Sequence, residues 1–434
     1  MSARTTILTL CTAGALAVTT IPSAAAERIG PTAPAQWGPI RTLAPNPQSA
    51  AIAVDGQGVV TVAWQSTAFP ATVVVRQRYA DGSWGKRTVL GEGIDPQVAA
   101  DRRGRVTVAW VTQRTGHSDG VSASRLEASG TWSKPAHLTQ DVAVPGYVPG
   151  GGAVHGAADI DLAVSARGAA VAVWSWGSEE ADVPSRIQSA FRPAAGSWRR
   201  AVDVTPRSGA DEPQVGIAGD GTATVVYGLQ TIGHPQQLVS RRRATTGRWG
   251  GPTVVAPEGY DHDVAVSGDG TTVATFTPDF EQVAAATRHA VGKWRTRTVS
   301  APGAVVNDAD LAVDVTGHAV VAMTEEDGLV QMVERSPGGS WSAPTRVADS
   351  GSLASEVVVS LNADGDLFVG WGTYGLHGKY RYGGGTWTHR YTVAPDAGVD
   401  VLEWVGAVAT PGGDVAILWD QEAMPLRIRV LRAS

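Results

Sequence analysis

The chain has 434 residues, 35 of them lysine or arginine and 41 aspartate or glutamate, for a formal charge of −6. That balance argues against a nucleic-acid partner, which needs a basic face. The one cysteine, Cys11, leaves no intrachain disulfide framework to be built.

The first predicted element is a secretory signal over residues 1–26, in which Arg4 precedes an apolar stretch ending in Ala24, Ala25 and Ala26. Its apolar part is shorter than the ~20 residues that span a bilayer, and no later segment reaches that length. The expected product is secreted and has no membrane span, with a short segment at 27–34 ahead of a single domain over 35–434. Once Cys11 is removed, stability has to come from packing alone.

Next comes "QWGPIRTLA", an isolated strand-like run with Trp37 at its head. After it the chain repeats itself. Eight copies of a two-run hairpin pattern, from "AVDGQGVVTVAW" to "VATPGGDVAILW", align on Gly58, Gly104, Gly168, Gly221, Gly270, Gly317, Gly365 and Gly413. The first seven are each followed by an alternating run with an arginine and then a turn leading to a tryptophan: Trp84, Trp132, Trp198, Trp249, Trp294, Trp341 and Trp387. Each unit is therefore a four-stranded meander. The eighth ends after its third run, "LRIRVLRAS", so the orphan strand at Trp37 is the missing fourth.

This offset repeat resembles the β-propeller proteins and implies an all-β fold: eight four-stranded antiparallel blades in a ring, closed by the strand around Trp37 pairing with the C-terminal blade. The tryptophans and the aromatics that end the second strands are expected in the core between blades. The third-strand arginines are expected to pair with turn carboxylates such as Asp55, Asp101 or Asp314. The fold alone does not give a function. No turn carries the sialidase-type Asp-box, and the spacing from Gly58 to Trp64 does not fit the quinoprotein docking motif.

Two features break the uniformity. Turn glycines lie mostly 46 to 49 residues apart, but Gly104 and Gly168 are separated by 64 and the next pair by 53. The insertions nominate Tyr147, His155, Trp176, Glu179 and Glu180. Separately, the position nine residues before each turn glycine holds Ser49, Asp95, Asp159, Glu212, Asp261, Asp308, Glu356 and Trp404. These residues begin the first strands and are expected around the channel mouth. Asp161, Asp263 and Asp310 follow two residues later and are expected on the same side. Such carboxylates suit either solvated strand entries or the binding of a basic ligand or Ca²⁺, with Asp261, Asp263, Asp308 and Asp310 as candidate metal ligands and Trp404 as an aromatic platform. No other cofactor is implied.

Two functions remain open at this point. One is a secreted, non-catalytic protein that binds extracellular carbohydrate or protein through the loop-bearing face. The other is an extracellular glycan hydrolase or lyase that uses rim carboxylates with His155 or His262 as acid or base.

Overall fold

A computed structural model describes residues 36–45, 47–114, 117–139, 155–178, 184–351, 354–395, 403–420 and 425–432. They form eight antiparallel sheets, each a meander of four strands. Blade one consists of Ala50–Val54, Val60–Gln65, Thr72–Arg78 and Thr88–Glu92, counted from the axis outward. Blades two to seven follow at 94–137, 155–203, 210–256, 260–298, 306–349 and 357–394. Blade eight has Glu403–Ala409, Val415–Asp420 and Leu426–Arg432.

The outer strand of blade eight comes from the other end of the chain, as expected. Gln36 and Trp37 oppose Arg432 and Leu431, while Arg41, Thr42 and Ala44 oppose Ile428, Arg427 and Leu426. Glu403–Ala409 touches the innermost strands of both blade seven and blade one, so the contacts between innermost strands run all the way round. The structure is an eight-bladed β-propeller.

The turn glycines explain why each hairpin forms where it does. Gly58 has φ +80° and donates its N–H to Asp55 O at 3.1 Å. The Asp55 carboxylate meanwhile accepts from Gln57 N at 2.8 Å and Val59 N at 2.9 Å. Glycine tolerates that φ without a steric penalty, and an aspartate at the turn's start supplies the acceptor its backbone lacks.

The core is divided among the blade boundaries. On the second strand of blade one, Val60, Val62 and Trp64 pack toward blade eight while Ala63 packs toward blade two. The same alternation carries Trp110, Trp174, Tyr227, Phe276, Met323, Trp371 and Trp419 into the gap before their own blade. The outer-strand tryptophans fill the same gaps farther from the axis. Trp37 follows suit, meeting Phe368 and Tyr391 of blade seven edge-on at 6.5 and 6.0 Å.

Of the third-strand arginines, Arg125 pairs with Glu127 of its adjoining turn, as expected, and Arg381 is bidentate to Glu334 of blade six, while several others are placed differently. Asp55, Asp101 and Asp314 are taken up by N–H groups of their own turns, and Asp101 also by Arg105 of the same turn. Several arginines instead enter the blade boundaries. Arg192, Arg288 and Arg381 stack over Trp198, Trp294 and Trp387, and Arg243 lies 3.6 Å from the Phe191 ring centre. A buried guanidinium gains more from an aromatic face and a fixed acceptor than from a turn carboxylate already hydrogen-bonded elsewhere.

Candidate ligand-binding face

The innermost strands enter at the same face as the loops that join second and third strands. In blades two to five that entry is irregular. Asp95, Asp159, Glu212 and Asp261 have φ of 49°, 48°, 48° and 44°, each at a β-bulge where the pairing with the second strand shifts register. A left-handed aspartate is tolerable, but a glutamate there is strained, and such strain is kept mainly at sites with a use. All four residues keep exposed surface, although the surrounding strands partly desolvate the carboxyls of Asp95 and Glu212.

These carboxylates sense one another around the mouth. Asp159 raises the carboxyl pKa of both Asp95 and Glu212, after the larger effect of burial, and Asp261 adds to Glu212 and Asp308. Asp211, next to Glu212, is pushed to about 7 by burial and then by Glu212 and Asp159, and Asp308 to about 7 chiefly by burial. Asp95, Asp159, Glu212, Asp261 and Asp308 thus form an arc of acids over five successive blades. Ser49 and Glu356, both half-buried, continue the position into blades one and seven.

In blades three and five the acids two residues on do not share that side, because a bulge falls between Asp159 and Asp161 and between Asp261 and Asp263. In blade six the bulge comes before Asp308, so Asp308 and Asp310 lie on the same side, as expected, and both face blade seven. Asp161 and Asp310 are buried. Each serves the next blade: Asp161 accepts Val215 N at 2.6 Å, and Asp310 accepts Val359 N at 2.6 Å. Asp308 takes Val357 N at 2.8 Å, and Gln214 and Ser360 make the equivalent bonds to Val264 N and Ala409 N. The free edge of an innermost strand is thereby satisfied by its neighbour's side chain.

This arrangement narrows the room for a metal ion. Both oxygens of Asp310, one of Asp263 and one of Asp308 already accept backbone N–H groups. Among the described residues, no three His, Cys, Asp or Glu side chains are grouped so as to hold a metal ion.

The other nominated residues fall in three groups. Trp176 is buried in the core between blades two and three, because the inserted residues extend the second strand and carry its ring inward. His262 is also buried, and burial lowers its pKa to about 4, so it is a neutral interior histidine and not an acid or base of the rim. Tyr147, Glu179 and Glu180 lie outside the described residues. His155 and Trp404 are described only in their backbones, which pair with Ser178 and Trp419.

The rim also carries apolar side chains that the repeat did not single out. Phe69, Ile232, Phe280 and Tyr374, each in a loop between second and third strands, are 85%, 99%, 59% and 65% exposed. Phe280 is held at φ 61°, in a loop whose Glu281 and Gln282 N–H groups bond Asp279 Oδ1. Its ring stacks on Tyr260 with centres 4.3 Å apart, directly beside Asp261. The face therefore joins a stacked aromatic pair to a carboxylate.

The chain matches no protein-family model and no curated protein. Solved structures do match. A lectin from Burkholderia pseudomallei, BP39L, is 16% identical with a TM-score of 0.53, over 80% of this chain and all of that one. The Dos1 propeller is 8% identical with a TM-score of 0.53, over 91% of this chain and 94% of that one. At those identities the likeness is one of fold.

Proposed function

We propose that the protein is a secreted binding protein that engages extracellular carbohydrate on the face bearing the acidic mouth. The observation that carries this is the Tyr260–Phe280 stack next to Asp261, whose charge in turn reaches Glu212 of the neighbouring blade. A sugar ring offers an apolar C–H face to an aromatic and hydroxyl donors to carboxylates, and this pairing supplies both complements. The strained backbone at Phe280 and Glu212 keeps those groups turned toward solvent. A propeller likeness to a lectin agrees with this function without assigning it.

The test is a glycan-array screen followed by calorimetry on the best ligand. Phe280→Ala and Asp261→Asn are each expected to weaken binding about tenfold or more, near 1.4 kcal/mol. Unchanged affinity in both folded variants removes the face from carbohydrate binding, and a basic protein ligand becomes the occupant to test.

A second function has one observation in its favour. Asp211, raised to about 7, sits beside Glu212 and Asp159, so a protonated carboxyl adjoins acidic neighbours. Glycan hydrolases divide acid and base roles between two carboxyls in this manner. Turnover of a bound polysaccharide that Asp211→Asn abolishes, without loss of binding, selects catalysis over binding alone.

A further inference from the structure

On the flank of the ring, away from the acidic mouth, the charge reverses. A cavity of about 540 Å³ opens between blades six and seven, lined by Arg346, Val347, Ala348, Asp349, Lys379, His389 and Arg390. Three permanent cations face one carboxylate there, in a chain whose formal charge is −6. Among the described residues, only one of the three has an acidic partner within the cavity: Arg346 pairs with Asp349 at 2.6 Å, both largely exposed. Lys379 Nζ donates to the Val347 carbonyl at 2.7 Å, and Arg390 donates to His377 Nε2 at 2.8 Å. Neutral acceptors thus fix Lys379 and Arg390 in place while leaving their charge uncompensated. Lys379 uses one of its three N–H donors in that bond.

The site is an open groove with more room than a bare oxyanion fills, so a larger ligand can lie along it. Asp349 and the backbone carbonyls of the wall add acceptors to the cationic donors, a mixture that suits a molecule carrying both hydroxyls and a negative group. We propose that this cavity is a second saccharide subsite, selective for an acidic sugar whose carboxylate or sulfate lies between Lys379 and Arg390. It rests on the carbohydrate-binding function proposed above but uses none of the same residues.

The experiment is calorimetry with four probes: a glucuronate-containing disaccharide, its sulfated form, the matching neutral disaccharide and inorganic sulfate. Both acidic disaccharides are expected to bind at least tenfold more tightly than the neutral one, with affinity falling as salt is raised. Lys379→Gln and Arg390→Gln are each expected to remove most of that preference while leaving neutral-sugar binding intact. Arg390 is exposed, so its variant serves where loss of the Lys379 bond disturbs folding. Equal affinity for acidic and neutral probes overturns the subsite and leaves the acidic face standing. So does wild-type preference in folded variants. Inorganic sulfate binding as tightly as the sulfated sugar makes it a bare-anion site, and binding of no saccharide at all removes the carbohydrate function as well.

Discussion

The Asp161 carboxylate accepts the Val215 N–H at 2.6 Å, tying the innermost strand of blade three to that of blade four. Its other oxygen takes Leu162 N at 2.7 Å. Asp161→Ala strands two buried donors, and a cost of about 2–4 kcal/mol follows from one to three per unsatisfied group after partial relaxation. Asp161→Asn keeps an acceptor for one of them and should cost less. Urea unfolding of the three proteins gives the order directly, and equal stability of all three denies the tie.

Removing residues 27–45 takes away the outer strand of blade eight and the ring of Trp37. We expect a lower melting temperature for the whole domain, together with self-association through the uncovered edge of Leu426–Arg432. Trp37→Ala, which leaves the strand but empties the gap against Phe368 and Tyr391, should cost about 3 kcal/mol. A truncated protein that stays monomeric at an unchanged melting temperature contradicts closure by this strand.

Several buried carboxyls hold their protons more tightly when folded, Asp161 to about 6 and Asp211 and Asp308 to about 7. The unfolded chain releases them near pH 4, so the folded state binds the extra protons between those limits. Stability from these groups is therefore full below pH 4 and lost as pH rises through 6 to 7. His262 and His377, lowered to about 4, act oppositely: their contribution is present above pH 6.5 and lost as pH falls toward 4. Asp308→Asn deletes one of the carboxyls. Relative to wild type it should gain stability from pH 5 to pH 8, by at most about 1.4 kcal/mol per unit, the effect of one proton. Parallel pH profiles for the two proteins rule out Asp308 as a titrating group.

Calcium is expected to leave thermal unfolding unchanged, since Asp310, Asp263 and Asp308 already accept backbone N–H groups. A tightly held ion at 100 times its dissociation constant adds about 2.7 kcal/mol, an effect that a melt with and without chelator resolves easily. A calcium-dependent rise, lost in Asp261→Asn, places the ion at the mouth after all.

The ring was legible because its signals repeat. Gly58 and its seven counterparts mark turns that only glycine fits without strain, and Trp37 was recognisable as a blade end because seven other tryptophans stand in the same place. The arc of acids was visible for the same reason. The bulge that separates Asp159 from Asp161 was not, since a period-2 strand and a bulged one have the same residues until the pairing partner is known. Phe280 escaped notice because the loops between second and third strands vary in length around the ring, so no periodic position marks it. Lys379 and Arg390 converge with Arg346 only once blades six and seven stand side by side.

The strand that completes blade eight is the first of the described elements and pairs with the last, with Gln36 opposite Arg432. Contacts of such sequence separation form late, so a folding chain holds seven finished blades and an uncovered strand before its ends meet. In that interval the N-terminal strand of one molecule fits the open blade of another as well as its own, because the pairing and the gap for Trp37 are identical. Closure within one chain wins when molecules are dilute, and strand exchange wins when they are crowded. Refolding over a range of protein concentrations should therefore divide the product between closed rings and swapped oligomers, with Trp37 seated against Phe368 and Tyr391 in both.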